Sequence, residues 1–208
     1  MAAVDTRFCE WHLANPDRRV RIGNPDELRS NRMGKTLDLL KHRVLKPEQG
    51  VAESIHGSVI TALNEEAVVN AALGNKGGLN LVVSYEAFAM KMLGALRQEI
   101  IFARHQKALG RPPGWLSVPV IATSHLWENG KNEQSHQDSA FGEVLLGEMS
   151  DMARVVYPAD ANSAVACLDA CYQTQGQIWG MTIPKNDVVT AFTPKQAAQL
   201  VAQGAMTL

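Results

Sequence analysis

The chain has 208 residues, 46% of them hydrophobic, and its 20 basic and 21 acidic residues leave a formal net charge of -1. A chain of this length and composition can bury one sizeable core, which predicts a single domain, and its balanced charge indicates neither nucleic acid nor an anionic membrane as a partner. No apolar run reaches the roughly 20 residues needed to cross a bilayer, so we expect a soluble protein.

The first half of the chain predicts an arm followed by alternating helices and strands. Its predicted elements are an extended arm or linker at 1–19, a helix at 26–42, a strand at 57–63, a helix that Asn64 caps and the glycine-rich segment 74–78 ends, a strand at 79–83 and a helix ending near Gly110. Phe8 and Trp11 indicate that the arm packs against the rest of the chain.

The second half continues this alternation around a β-branched run at residues 118–121, which predicts a buried strand. The further predicted elements are a helix at 139–152, a strand at 154–157, a helix that the segment 158–162 caps, a strand at 177–183 and a helix from Thr193 to Gly204. Strands that alternate with helices predict an α/β fold with a mostly parallel sheet and helices on both faces. We therefore assign residues 20–208 to one α/β domain.

A polar segment rich in Asn and Gln follows the central strand and is the first candidate site. The carboxyl edge of a parallel sheet is where α/β proteins commonly bind ligands. His125 directly follows the strand, and a histidine in that position is more often part of the core than catalytic. His136 stands further along in the polar loop, a better position for acid–base chemistry or substrate binding, and is the stronger candidate.

Three further features each allow two interpretations. Glu65 and Glu66 fall in a first helical turn, where the helix dipole stabilises acids, so they are either a surface pair or include a buried acid that faces a ligand. Segment 74–78 could cradle a phosphate, but a helix C-cap followed by a turn explains it equally well. Cys167 and Cys171 could form a metal pair, but without a second pair at ligand spacing we interpret them as buried small residues.

Motif and cysteine content narrow the function further. The sequence contains no dinucleotide-binding, P-loop, zincin or serine-hydrolase motif. Three cysteines without a recognisable secretion signal predict a cytoplasmic protein.

The segment Thr-Ser-His-Leu-Trp at 123–127, followed by Ser-His-Gln-Asp at 135–138 and Phe141, resembles the thiamine-diphosphate-dependent phosphoketolases. Further matches in the same order are Pro-Asp-Glu at 25–27, Ser-Asn-Arg at 30–32, the strand at 57–63 leading into Glu65, Ser-Tyr-Glu-Ala-Phe at 84–88, Pro-Ala-Asp-Ala-Asn at 158–162 and the strand ending in Lys185. The resemblance spans about residues 20–205 and implies a pyrimidine-binding domain, the middle one of three in that family.

The resemblance also implies thiamine diphosphate as the cofactor. The glutamate matching Glu65 hydrogen-bonds the aminopyrimidine ring and promotes the tautomer that takes the proton from the thiazolium carbon, so Glu65 becomes the leading catalytic candidate. The histidine matching His136 works near the substrate carbonyl, and Val82 stands where the family encloses the pyrimidine. Positions near the sugar phosphate substrate are matched by Ser30, Asn31, Tyr85, Lys131 and Lys185.

The chain departs from the family pattern near the cofactor and the substrate. Lys131 replaces a histidine near the substrate, and Glu66 replaces the histidine that follows the catalytic glutamate. Leu79, Leu81 and Val82 replace aromatic residues that help enclose the pyrimidine. The family's diphosphate-binding and carboxy-terminal domains are not expected within 208 residues, so we expect no metal site in this chain.

Two hypotheses from different classes follow. In the first, the chain is the pyrimidine-domain subunit of a split phosphoketolase-like enzyme, which cleaves a ketose phosphate with inorganic phosphate to acetyl phosphate and an aldose phosphate. Another chain would supply the diphosphate-binding domain and Mg²⁺, and the surface left for it predicts a homo- or hetero-oligomer. In the second, the chain is a repurposed, non-catalytic module that binds a ligand or another protein.

Overall fold

The computed structural model describes residues 1–25, 28–123, 138–148 and 151–206, which form one sheet flanked by helices. The strands are β1 (Val20–Asn24), β2 (His42–Arg43), β3 (Glu53–Ser54), β4 (Val59–Thr61), β5 (Leu79–Tyr85), β6 (Val118–Thr123), β7 (Ala153–Val156) and β8 (Ile178–Ile183). The helices are α1 (Ala2–Ala14), α2 (Gly34–Leu40), α3 (Glu65–Leu73), α4 (Glu86–Ala89), α5 (Leu93–Ala108), α6 (Phe141–Leu146), α7 (Ala161–Tyr172) and α8 (Pro194–Gln203). A 3-10 turn at Met90–Met92 joins α4 to α5.

The strands lie in the order β3-β2-β4-β1-β5-β6-β8-β7, and every strand pair in the described ranges is parallel. Buried side chains form one cluster on each face of the sheet, the first beneath α1, α2 and α7 and the second beneath α3, α5 and α6. All positions of β6 are buried because both faces of this central strand are covered, which explains its unbroken apolar run. The predicted α/β fold with helices on both faces is confirmed.

The prediction of an extended conformation for residues 1–19 is wrong, because most of this segment forms α1. Val4 and Phe8 are buried in the first hydrophobic cluster, where α1 packs beside α2 and α7, as the predicted packing of the arm requires. The Asp5 carboxylate accepts hydrogen bonds from the backbone N–H groups of Lys35 and Thr36, each at 2.9 Å. It thereby caps α2 from a neighbouring helix. The division of the chain at residue 20 stays a prediction.

β1, β2 and β3 were not predicted from the sequence, and two of the predicted helices are too long. β1 contains only two large apolar residues, Val20 and Ile22, because its other face carries Arg21 and Gly23, so no apolar run marks it. The helix predicted at 26–42 is confined to α2, and the residues just before it form a turn instead. The helix predicted at 139–152 is confined in the described residues to α6.

One buried carboxylate joins α7 to the segment that leads into α8. Asp160 is 3% exposed, and its oxygens accept hydrogen bonds from the N–H and hydroxyl of Ser163 and from the N–H groups of Ala191 and Phe192, at 2.7 to 2.9 Å. Burial by itself would raise the pKa of the Asp160 carboxyl, but these hydrogen bonds hold that pKa below its usual value.

We expect Asp160→Asn to lower the free energy of unfolding by about 3 kcal/mol at neutral pH, because an amide cannot accept all four donors. The folded-state pKa is lowered, so the carboxylate's contribution is complete above about pH 4 and is lost as pH falls through that lowered value. Urea unfolding should therefore show that the difference in the free energy of unfolding between the wild-type chain and Asp160→Asn becomes smaller below about pH 4. Asp38→Asn is the control, since Asp38 pairs with Arg29 in solvent. An equal loss in both variants would contradict this account of Asp160.

None of the helices in the described ranges combines the length and the apolar character that a membrane crossing requires.

Candidate active site

The predicted site residues that the structure describes come from elements that meet at the carboxyl edge of the sheet. Because the strands are parallel, β4, β5 and β8 all end at this edge. Glu65 begins α3 directly after β4, Tyr85 ends β5, and Lys185 follows β8. Ser30 and Asn31 belong to the turn that follows β1. A parallel sheet thus gathers side chains that are up to 155 positions apart along the chain.

A close approach between α3 and β1 sets the position of Glu65. A Cβ atom on Gly23 would lie 2.3 Å from the carbonyl oxygen of Val68, so only glycine lets α3 pack this tightly on the strand. Asn64 caps the helix, its side-chain oxygen accepting a hydrogen bond from the N–H of Ala67 at 2.8 Å. The predicted Asn cap is confirmed, and it fixes Glu65 in the first turn at the sheet edge.

The two acids of this turn, Glu65 and Glu66, have different surroundings. This difference distinguishes a surface pair from a pair that includes a buried acid. The side chain of Glu65 is 14% exposed, and its Oε1 lies 3.8 Å from Nζ of Lys91. Glu66 is exposed, and its carboxylate packs beside Gly94 at the start of α5. Glu65 is therefore the largely buried acid of the pair, and the helix N-terminus and Lys91 both stabilise its negative charge.

Aromatic side chains continue from Lys91 along the same edge. The Lys91 ammonium lies 5.0 Å from the ring centroid of Phe88, and that ring lies 6.2 Å from the ring of Tyr85. The Tyr85 ring also has a second cation nearby, because Nζ of Lys185 lies 4.9 Å from its centroid. The hydroxyl groups of Tyr85 and Ser30 share a hydrogen bond of 2.7 Å. The edge thus connects the predicted cofactor acid to three predicted substrate residues through two cation–π contacts.

The turn that carries Ser30 and Asn31 is fixed to the end of the central strand as well. Thr123, the last residue of β6, donates a hydrogen bond to the side-chain oxygen of Asn31, and both residues are fully buried. Arg32, next in the turn, has a positive φ of 62°. A non-glycine residue in this left-handed region is uncommon and is retained where the surrounding contacts impose it.

The other predicted site residues differ in how far the structure describes them. Val82 is fully buried in the second hydrophobic cluster and presents no surface in this conformation, so its role beside the pyrimidine stays a prediction. His136 and Lys131 lie outside the described residues, and their predicted roles also stay predictions.

Three residues of the edge were not predicted as site residues, namely Phe88, Lys91 and Thr123, although Phe88 and Thr123 lie in motifs that resemble the family. Tyr85, Phe88 and Lys91 stand three positions apart, which is the spacing of one helical face, so this pattern could have linked them. The contact between Thr123 and Asn31 joins residues 92 positions apart and left no pattern in the sequence.

The structure favours one interpretation each for segment 74–78 and for the pair of cysteines. Segment 74–78 ends α3, and the Lys76 ammonium is paired with Glu99 and lies 4.7 Å from the Trp115 ring, which favours the helix C-cap interpretation. Cys167 and Cys171 are buried as expected, and burial raises the pKa of the Cys167 thiol to about 11. Within the described ranges, no three His, Cys, Asp or Glu side chains are grouped as a metal site would require.

A separate apolar groove lies away from these residues. It has a volume of about 610 Å³ and is lined by β7, α7 and α8 together with Phe192. Of the predicted site residues, those that the structure describes do not contribute to it.

The surroundings of Glu65 fit one half of thiamine diphosphate. A largely buried carboxylate at a helix N-terminus can accept a hydrogen bond from a ring nitrogen, and the rings of Phe88 and Tyr85 stand nearby. A diphosphate bound through a divalent metal would need a further set of oxygen ligands.

Comparisons with known proteins indicate the family and the fold of the chain. The model of the D-xylulose 5-phosphate/D-fructose 6-phosphate phosphoketolase family matches residues 3–174. The chain is 28% identical to the xylulose-5-phosphate phosphoketolase of Lactiplantibacillus pentosus, over 91% of this chain and 25% of that protein. It is 27% identical to a probable phosphoketolase of Lactococcus lactis, over 100% of this chain and 26% of that protein. The chain thus spans about a quarter of the length of these relatives.

Solved structures of transketolases share the fold. A transketolase from Leishmania mexicana superimposes with a TM-score of 0.64 at 17% identity, over 89% of this chain and 25% of that one. A structure described as a split-gene transketolase, inactive beta4 tetramer, gives a TM-score of 0.60 at 14% identity, over 93% of this chain and 53% of that one. These low identities bear on the fold alone, whereas the family match covers most of the sequence. On that match, the chain belongs to the phosphoketolase family.

Proposed function

We propose that the chain is the pyrimidine-binding part of a phosphoketolase-type enzyme whose diphosphate-binding part belongs to another chain. Together they would cleave a ketose phosphate with inorganic phosphate, giving acetyl phosphate and an aldose phosphate. The cofactor is thiamine diphosphate, with Mg²⁺ held by the partner. The proposal includes a cytoplasmic location, in line with the cysteine content.

The observation that best supports this proposal is the burial of Glu65 at a helix N-terminus beside a lysine. Its carboxylate is largely buried, begins a capped helix and lies beside a cation, so it is placed to accept a hydrogen bond from a ring nitrogen. Thiamine diphosphate, when bound, supplies the carbanion chemistry that cleaves the ketose. The part of Glu65 is to orient the aminopyrimidine and to stabilise positive charge on its ring nitrogen.

The substrate would lie along the Tyr85 side of the same edge. Lys185 supplies a positive charge for a phosphate group, and the linked hydroxyls of Tyr85 and Ser30 supply hydrogen bonds. Asn31, oriented by Thr123, adds an amide, while His136 and Lys131 complete the proposed set of residues near the substrate.

Exposed apolar side chains on the loops at this edge support the proposal of a partner chain. Leu45, Leu63 and Val189 follow β2, β4 and β8 and are 96%, 93% and 88% exposed. Large aliphatic residues that are this exposed around a candidate site favour a second protein surface that covers them. The resemblance to a transketolase described as split between genes and inactive as a beta4 tetramer supports the same division of labour.

A second candidate is a non-catalytic module, and one observation favours it. Val82 replaces an aromatic residue of the family pattern and is fully buried, so it offers the pyrimidine no surface. A chain that lost this contact could retain Glu65, Tyr85 and Lys185 for another ligand or for a protein contact.

Titration calorimetry of thiamine diphosphate with Mg²⁺ distinguishes the two candidates. The chain would be titrated alone and then mixed with a purified chain that carries a metal- and diphosphate-binding motif. We expect binding only in the mixture, because the diphosphate and metal contacts belong to the partner. Formation of acetyl phosphate from xylulose 5-phosphate or fructose 6-phosphate should accompany it.

The same measurement can contradict the proposal. Absence of binding in mixtures that form a stable complex would favour the non-catalytic module. Binding of the cofactor by the chain alone, with no gain from a partner, would reject the division between two chains.

A further inference from the structure

Three arginines project from one face of the sheet, and none of them has an acidic partner among the residues that the structure describes. Side chains alternate along a strand, so Arg19 and Arg21 point to the face on which Gly23 meets α3. Arg43 is the last residue of β2, which is separated from β1 by β4 alone. We call Arg19, Arg21 and Arg43 the arginine cluster.

The register of the strands brings Arg43 to the same face. Ile22 and His42 both pair with Val59, so these three side chains share one face. The preceding and following positions, which include Arg21 and Arg43, therefore lie on the opposite face. Arg21 and Arg43 are two inter-strand spacings of roughly 5 Å apart across the sheet and two residues, or about 7 Å, apart along the strands. The resulting backbone separation of about 12 Å is one that two long arginine side chains can bridge towards a common ligand.

The positive charges of the cluster are not balanced by any carboxylate within the described ranges. In the part of the chain that the structure describes, no salt bridge involves Arg19, Arg21 or Arg43. Burial, followed by the positive charges of Arg43 and Arg19, lowers the pKa of Arg21. Like charges held this close destabilise the folded chain unless an anion offsets them.

Arg19 is held in place by a buried amide network rather than left free in solvent. Its Nε donates a 2.7 Å hydrogen bond to Oδ1 of Asn75, and Nδ2 of Asn75 donates to the Arg19 carbonyl at 2.8 Å. The Asn80 side chain binds both the side chain and the backbone carbonyl of Asn75. A Cβ atom on Gly78 would lie 2.1 Å from the Arg19 carbonyl oxygen, so a glycine is required in this turn.

These contacts orient the guanidinium before any ligand arrives. Because Nε is occupied by Asn75, the terminal nitrogens remain to meet a ligand, and less conformational entropy is lost on binding. The glycine-rich segment 74–78 thus acts through its asparagine and glycine, whereas its lysine is paired with Glu99.

We infer that the arginine cluster binds a small multivalent phosphate anion, at a site separate from the candidate active site. Planar guanidinium groups bind phosphate oxygens in a bidentate manner, and three of them favour an anion with two or more charges. Arg19 is bound by Asn75, which follows the carboxyl-terminal end of α3, whereas Glu65 begins that helix, and nine residues of helix separate these ends by about 13 Å. The site does not depend on the proposed enzymatic function.

Inorganic pyrophosphate is the probe, measured by calorimetry and by thermal unfolding of the isolated chain. We expect pyrophosphate to bind and to raise the unfolding temperature. The double variant Arg21→Gln/Arg43→Gln should bind at least about tenfold more weakly, because two charge-assisted contacts are lost. Arg43→Gln alone should weaken binding about threefold or more, and since Arg43 is exposed this variant does not threaten folding.

The matched control removes two positive charges elsewhere. Arg111 and Lys195 are both exposed and lie outside the cluster, so Arg111→Gln/Lys195→Gln should keep the affinity of the wild-type chain. Lys185→Gln should keep it as well, which separates the cluster from a phosphate bound at the candidate active site. No binding by the wild-type chain, or equal losses in the cluster variant and the control, would overturn the inference.

Discussion

Glu65→Gln should reduce acetyl phosphate formation by the assembled enzyme by about 10³-fold or more. The substitution keeps the size of the side chain and removes the negative charge that would stabilise the protonated aminopyrimidine. Neutralising a single preorganised polar partner of a reacting group has effects of this order in other enzymes. The rate of acetyl phosphate release, measured with saturating cofactor, tests the expectation.

Glu66→Gln is the matched control because it makes the same chemical change one position along the same helical turn. Glu66 is exposed, whereas the Glu65 side chain is only 14% exposed, so the control should retain nearly all activity. The cofactor affinity of Glu65→Gln should fall as well, which calorimetry would detect independently of turnover. Comparable rates for the Glu65 and Glu66 variants would remove Glu65 from the mechanism.

The fold was predictable where the sequence carries a local signal. β6 and β8 are buried on both faces and therefore consist mostly of apolar residues, and both strands were predicted within a residue or two. The cap at Asn64 and the capping box of α8, with the left-handed Gly204 after it, follow local chemistry that short motifs record.

β1 was not predictable in the same way, because its second face carries charge and a glycine. Arg21 and Gly23 occupy positions where a central strand usually has aliphatic residues. Gly23 is needed by α3 and Arg21 belongs to the arginine cluster, so both depart from the strand pattern for reasons outside β1. The helix α1 was missed for a related reason, since few of its residues face the core.

The candidate site shows the same division between local and long-range information. The helix start that carries Glu65 and Glu66 was predictable from adjacent residues, but the choice of Glu65 as the candidate acid came from the resemblance to a family. The hydrogen bond between Ser30 and Tyr85 spans 55 positions, and the one between Asn31 and Thr123 spans 92. Such contacts depend on strand order, which periodicity and composition do not specify. The roles of these residues could be taken only from the resemblance to a family.

Gly23→Ala should disturb the fold and the site together. The added methyl group would lie 2.3 Å from the Val68 carbonyl oxygen, a backbone atom that cannot rotate away. α3 must then move off β1, which we expect to lower the free energy of unfolding by about 2–3 kcal/mol. The same movement displaces Glu65 at the start of α3, so cofactor affinity in the assembled enzyme should fall even where the variant remains folded.

Gly114→Ala separates this steric effect from the general consequences of replacing glycine. A Cβ atom on Gly114 meets nothing within 4 Å, so the substitution should leave stability unchanged or raise it by about 0.5 kcal/mol. Urea unfolding of both variants, followed by cofactor titration below the unfolding transition, measures the two consequences separately. If Gly23→Ala were as stable as Gly114→Ala, the tight packing of α3 on β1 could not be what positions Glu65. If Gly23→Ala lost stability but kept full cofactor affinity, Glu65 would owe its position to the Asn64 cap and Lys91 rather than to this contact.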